Sequence, residues 1–197
     1  MDTEIEIKFA DINPEGFREK LREAGARLEH PEILMRRKAF DYPDWRLEKK
    51  GGWARVRDEG QQTTMSYKQL DDRTLHGTRE ISVTVGDFEK ACVFLQSIGL
   101  EEKAYQETKR EKWTLRNVEV TIDTWPWIPP FVELEGTSEE FLREASNLLG
   151  FEWEKGMHGS VETVYQMHYD FTESEIDHWK SIVFCPPPEW LLAKKKV

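Results

Sequence analysis

Cysteine is scarce: Cys92 and Cys185 are the only two in 197 residues. Two thiols cannot build a disulfide framework, and these show no metal-ligand spacing. Cys92 falls in an apolar helical pattern, where it reads as a small buried hydrophobe. Long apolar runs are also missing, since no stretch approaches the ~20 residues that span a bilayer. The N-terminal MDTEIEIKF has neither a basic nor an apolar leader segment. Positive charge is in the minority, with 28 Lys+Arg against 38 Asp+Glu and a net charge of −10. A field of that sign repels phosphate backbones and anionic lipid. The expectation is a cytoplasmic, soluble protein with no nucleic-acid and no membrane partner. The five histidines show no His-x-x-x-His or triad-like placement.

What is abundant is charge: 34% of residues are Asp, Glu, Lys or Arg, against roughly 25% in an ordinary domain. The length suits one domain or two small ones and supports a sizeable core. Three segments read as helices. The first runs from Pro14 to Ala24, capped by Asn13 and stopped by Gly25, with Phe17, Leu21 and Leu28 on one face. The second runs from Phe88 to Ile98 behind Asp87. The third follows Thr137, which has capping-box spacing to Glu140, and carries Phe141, Ala145, Leu148 and Leu149 as its stripe. Strand patterns cover Thr3–Phe9, Gly52–Asp58, Thr63–Gln69, Thr78–Val85, Glu107–Arg116, Asn117–Thr124 and Phe131–Gly136, with a shorter one at Val161–Tyr165. Asn117 suits a tight hairpin. The order predicts an α+β protein, an antiparallel sheet with helices packed outside. A weak internal repeat, with EIEIKF and FVELEG each preceding a helix, hints at two related halves. Residues 1–169 read as the main domain. Residues 170–197 read as a solvated tail with a short helix from Thr172 and the Pro-rich CPPPEW stretch, packed by Trp179 and Trp190.

Side chains alternate between the faces of a strand. Ile5, Ile7 and Phe9 therefore oppose Glu4, Glu6 and Lys8. Arg55 and Arg57 oppose Ala54 and Val56, Lys68 opposes Tyr67, and Glu80 opposes Ile81. Arg110 and Lys112 oppose Trp113, Asp123 opposes Ile122, and Glu133 and Glu135 oppose Val132 and Leu134. One such strand is a wet-faced edge. Seven together, with carboxylate-rich and Arg/Lys-rich strands kept apart, describe a charged lumen if the sheet closes. That lumen is costly unless something bridges the two signs. A polyphosphate with a divalent metal does so, and all-oxygen ligands point to Mg²⁺ or Mn²⁺ rather than zinc. Trp125 and Trp127 in DTWPWIPP either stack on a base or, the better reading, close a barrel end.

In their order along the chain, these residues resemble the CYTH superfamily, the triphosphate tunnel metalloenzymes. E-x-E-x-K matches Glu4, Glu6 and Lys8, and R-x-R matches Arg55 and Arg57. Lys68 matches the lone lysine strand, Arg110 lies in a TKREKW resembling the thiamine triphosphatase branch, and Asp123 and the Glu133/Glu135 pair follow. The sequence departs at RRKAFDYPD, with Lys38 where an Asp is often found, and at TREISV, where Glu80 is the only acidic match. It also has no clean C-terminal basic residue, a place given to Lys155. The resemblance implies a closed or nearly closed eight-stranded antiparallel barrel holding a small-molecule triphosphate. Lys8, Arg55, Arg57, Lys68, Arg110, Lys112 and Lys155 would contact phosphate. Glu4, Glu6, Asp123, Glu133 and Glu135 would hold the metal, with Glu80 assisting catalysis. Family members often form homodimers. Hydrolysis of the terminal phosphate leads, ahead of a class IV adenylyl cyclase reaction and of a non-catalytic polyphosphate- or nucleotide-binding module.

Overall fold

The computed structural model describes residues 1–196, apart from the side chains of Asp2, Glu4, Glu173 and Asp177. Its strands are β1 (Asp2–Phe9), β2 (Arg27–Asp41), β3 (Gly52–Asp58), β4 (Thr63–Leu70), β5 (Thr78–Val85), β6 (Glu101–Leu115), β7 (Val118–Thr124), β8 (Phe131–Gly136) and β9 (Ser181–Ile182). Its helices are α1 (Pro14–Glu23), α2 (Phe88–Ser97), α3 (Glu139–Leu148), α4 (Glu162–His168), α5 (Glu173–Asp177) and α6 (Glu189–Leu192). The sheet runs β2-β3-β4-β5-β1-β8-β7-β6, all antiparallel, and a further β2–β6 ladder brings its two ends together. The result is a strongly curled, nearly closed eight-stranded barrel. No helix among the described residues is long and apolar enough to cross a membrane.

A strand followed by a helix and three more strands occurs twice: β1-α1-β2-β3-β4, then β5-α2-β6-β7-β8. The counterpart of EIEIKF is therefore TREISV on β5, not FVELEG, which closes the second half.

The helices cover the outer faces. Asn13 accepts from the Gly16 N–H to start α1, and Asp87 accepts from Lys90 to start α2. Phe17 and Leu21 of α1 and Leu142 and Ala145 of α3 pack with Leu149 on Ile7, Phe9, Val120, Val132 and Leu134. Phe88, Ala91, Cys92 and Leu95 of α2 cover Phe40, Ala54 and Val56. Two details of the sequence reading shift. The cap of α3 is Ser138 rather than Thr137, so the buried stripe becomes Leu142, Ala145 and Leu149, and Leu148 faces solvent. Leu28 lies on β2 and is exposed.

The long β2 is an addition to the strand patterns, since Pro31 cannot donate to the ladder and the register slips on both sides of His30. Two further expectations give way. The segment Val161–Tyr165 is not a strand: it leads into α4, where Val164 and Tyr165 are fully buried. The tail is no solvated appendage. Ile176, Ile182 and Leu191 join Trp125, Phe131, Tyr165 and Tyr169 in one apolar cluster, and β9 pairs in parallel with β6. The physical reason is that the barrel end carries large aromatic surface that needs covering. Trp125 and Trp127 belong to that closure, and the Trp127 Nε1–H donates to the Cys185 carbonyl at 2.9 Å. Leu191→Ala should therefore cost about 2–5 kcal/mol, as for other buried leucines. Urea unfolding checks it, and a change under about 0.5 kcal/mol would return the tail to the periphery.

Candidate active site

The lumen is built from register. Glu6 sits opposite Glu135 and Lys8 opposite Glu133 across β1–β8. Thr121 sits opposite Glu133 across β8–β7, and Arg110 opposite Asp123 across β7–β6. On the facing wall Arg55 is opposite Ser66, and Lys68 is opposite Glu80. Cross-strand partners point to the same side, so one alternation carries all these side chains inward. The opposite alternation supplies the apolar outer face.

Carboxylate oxygens of Glu6, Glu133 and Glu135 all lie within 4.8 Å of one another. Lys8 lies beside them: its Nζ donates to Glu6 at 2.7 Å and to the Gly159 carbonyl at 2.8 Å, and stands 3.1 Å from Glu133. Arg110 grips Asp123 with two bonds, at 2.7 and 2.8 Å, and reaches Glu133 at 3.3 Å. Thr121 donates to the same Asp123 at 2.6 Å. Arg55 and Lys68 both approach Glu80 at 3.0 Å, and Arg57 donates to Glu59 at 2.7 Å.

These charges tune one another. Burial works against the charged form of Lys8, but Glu133 and Glu6 outweigh it and hold the ammonium above its usual range. Burial likewise works against the Glu133 carboxylate, yet Lys8, Arg110 and Lys68 keep its pKa well below the ordinary value. Glu135 goes the other way. Burial followed by repulsion from Glu133, Glu119 and Glu6 outweighs the attraction of Lys68 and pushes it up to about 7.

Most residues nominated from the sequence thus meet in one lumen: Glu6, Lys8, Arg55, Arg57, Lys68, Glu80, Arg110, Asp123, Glu133 and Glu135. Two of the nominated residues are engaged there by partners of their own, and one lies outside. Asp123 is fully buried under Arg110 and Thr121 and lies outside the carboxylate cluster, so it serves as an anchor for Arg110. Lys112 shares the inward alternation of Arg110, opposite Thr121, where it pairs with Glu119 and is partly exposed. Lys155 is solvent-exposed and pairs with Glu152. The side chain of Glu4 lies outside the described residues. Sequence reasoning missed Arg37, which faces the lumen, whereas Lys38 points outward to Glu102 and Glu89. The alternation was available, because apolar Phe40 marks the outer face and puts Arg37 opposite it.

The carboxylate cluster fits a hard divalent cation. Its donors are all oxygen and include Glu6 and Glu133, held by hydrogen bonds and ion pairs.

Solved structures share the architecture. A candidate adenylate cyclase from Vibrio parahaemolyticus superposes with a TM-score of 0.73 at 14% identity, covering 84% of this chain and 98% of its own. The PH1012 protein of Pyrococcus horikoshii gives 0.68 at 20% identity, over 82% and 98%. A candidate adenylyl cyclase from Hippeastrum, described as having a dominant triphosphatase activity, gives 0.56 at 14% identity, over 85% and 96%. No curated protein matches this chain. The family model described as the CYTH domain matches residues 2–150. With that match over most of its length, and with the curled antiparallel barrel and its charged lumen, the chain belongs to the CYTH domain family.

Proposed function

We propose that this protein is a divalent-metal-dependent enzyme that hydrolyses the terminal phosphoanhydride of a triphosphate held in the barrel. The observation that carries the reading is the cluster of Glu6, Glu133 and Glu135 oxygens within 4.8 Å, beside Lys8 and Arg110 and across from Arg55, Arg57 and Lys68. Glu6, Glu133 and Glu135 would hold Mg²⁺ or Mn²⁺, which when bound supplies Lewis-acid polarisation of phosphoryl oxygens.

The side chains themselves do the positioning. Lys8, Arg110, Arg55 and Lys68 rest on carboxylates of their own lumen. An entering polyphosphate offers them oxygens of higher charge density, so they exchange partners without leaving a buried cation bare. Asp123 stays with Arg110 and fixes the direction of its fork. Arginine suits the phosphate role because its planar donors contact two oxygens at once. Attack by water at the terminal phosphorus breaks the bridging P–O bond and expels the diphosphate-bearing fragment. The charge that spreads over the phosphoryl oxygens is then met by donors already in place.

Hydrolysis is preferred to cyclisation on one observation. Of the two tryptophans near the Asp123 strand, Trp125 is buried in the end closure with Arg37 over its ring, and Trp127 packs against Trp179. Both rings are engaged in that closure.

The test incubates purified protein with Mg²⁺ or Mn²⁺ and, separately, tripolyphosphate, thiamine triphosphate and ATP, with products followed by phosphorus NMR. Orthophosphate release that chelator abolishes is the expected result. Cyclic AMP and pyrophosphate from ATP would replace hydrolysis by the cyclase reaction. Tight binding without turnover would leave a binding module.

A further inference from the structure

The lumen cations that contact the Glu6–Glu133 cluster or Glu80 have carboxylate partners, but Arg37 does not. It is 7% exposed, and no carboxylate among the described residues lies within ion-pairing distance. Its Nη2 donates to Thr108 Oγ1 at 2.7 Å, and its guanidinium carbon stands 4.7 Å from the centre of the Trp125 ring. Its Nε has no hydrogen-bond partner among the described residues. Three arginines repel it, Arg57, its register partner across β2–β3, then Arg55 and Arg110, and the attraction of Asp123, which is held by Arg110, is weaker than any of these. Burial first, and these arginines next, push its pKa well below the ordinary value.

A guanidinium is not placed this way to stabilise an empty barrel. Deep burial of an unpaired charge disfavours folding, and a neutral side chain of similar length would pack on Trp125 as well. Thr108 and Trp125 hold the fork in a fixed orientation while leaving Nε uncommitted. Arg110 links this corner to the acidic cluster, since it also touches Glu133. Beyond Arg37 the way is shut by Trp125 and Tyr165, whose rings meet edge-on at 6.3 Å.

We propose that Arg37, with Arg57 and Arg110, forms a subsite for the terminal phosphoryl group of the substrate at the closed end of the lumen. The proposal rests on the triphosphate reading above and adds an orientation. The free end of the chain enters first, and the terminal group, with its charge near −2 at neutral pH, neutralises Arg37. Arg37 is accordingly a specificity residue that favours a triphosphate over a diphosphate.

The experiment measures binding of inorganic tripolyphosphate and pyrophosphate by calorimetry in chelator, for wild type, Arg37→Met and Arg37→Lys. Thermal melts are recorded with and without tripolyphosphate. Arg37→Met should weaken tripolyphosphate binding by roughly 10–100-fold, the range for a hydrogen bond to a charged group. It should shrink the preference over pyrophosphate and melt at or above wild type without ligand. Arg37→Lys should fall between the two, having kept the charge and lost the fork. Tripolyphosphate bound within twofold of wild type by Arg37→Met would overturn the subsite and leave the triphosphate reading standing. A drop in the ligand-free melting temperature with unchanged affinity would make Arg37 a structural prop for Thr108 and Trp125. Wild type that binds no tripolyphosphate, in chelator or with Mg²⁺, would overturn both.

Discussion

A Glu133→Gln protein should fold normally and lose roughly 10³-fold in metal-dependent triphosphate turnover. The figure corresponds to about 4 kcal/mol of transition-state stabilisation, the order supplied by a correctly held divalent ion. Glu133 stands where three functions meet. It is one of the clustered carboxylates, it lies 3.1 Å from Lys8, and it receives Arg110 at 3.3 Å. Its neighbours keep it ionised against the effect of burial, so glutamine removes a charge that is always present. Glutamine keeps the volume, and neither cation is stranded: Lys8 retains Glu6 at 2.7 Å, and Arg110 retains both bonds to Asp123. Stability and activity should therefore separate. Steady-state phosphate release across a metal titration, set beside a thermal melt, reads both. Wild-type turnover at saturating Mg²⁺ would remove the acidic cluster from the reaction. A collapsed melt would mean that Glu133 is mainly a structural ion-pair partner.

Where the sequence was legible, two physical rules agreed. In EIEIKF and FVELEG strict alternation put Ile7, Phe9, Val132 and Leu134 on one face and the charges on the other, and on the charged face too Glu6, Lys8 and Glu133 proved buried. The outer one lies under α1 and α3 and the inner one faces the opposite wall of the barrel. In β2 the rules disagreed. Pro31, the slipped register around His30 and a run of polar residues hid a 15-residue strand. With that strand unplaced, the inward direction of Arg37 went unread, although Phe40 three residues on marks the outer face. In α3 two adjacent capping residues, Thr137 and Ser138, left the helix phase ambiguous by one residue. That was enough to exchange Leu148 for Leu142 in the core. In the tail the short helix from Thr172 was legible, but its burial was not, because that comes from scattered anchors (Ile176, Ile182 and Leu191) that make sense only against the aromatic end of the barrel. Local alternation thus identifies which charges share a lumen. It does not tell which are anchored by partners, as Asp123 is, and which are left bare, as Arg37 is.

The second large effect is one of pH and concerns Glu135. Its carboxyl is pushed up to about 7 by burial and then by Glu133, Glu119 and Glu6, whereas in the unfolded chain it titrates near 4.3. The folded protein therefore binds this proton more tightly than the unfolded one. The stabilisation is fully present below about pH 4.3 and is lost as pH rises through 7. A shift of this size corresponds to about 3 kcal/mol. Glu135 keeps part of its side chain in contact with solvent, which screens the effect, so about 2 kcal/mol is expected. Glu133 and Glu59, whose pKa values are lowered, act in the opposite sense. Their stabilisation is present above the ordinary carboxylate range and fades only as pH falls below it, so it leaves the window from 5 to 8 to Glu135. Metal-free wild type should accordingly lose stability between pH 5 and 8. Glu135→Gln, always neutral at that position, should escape this part of the loss and exceed wild type by about 2 kcal/mol at pH 8, with a much smaller gap near pH 5. Urea unfolding of both proteins at the two pH values, in chelator, decides the matter. A gap that is the same at both would mean that Glu135 titrates as a normal surface carboxylate. Mg²⁺ added at pH 8 should raise the stability of wild type and not of Glu135→Gln, because the repulsion that burdens the metal-free lumen is the same charge density that holds the ion.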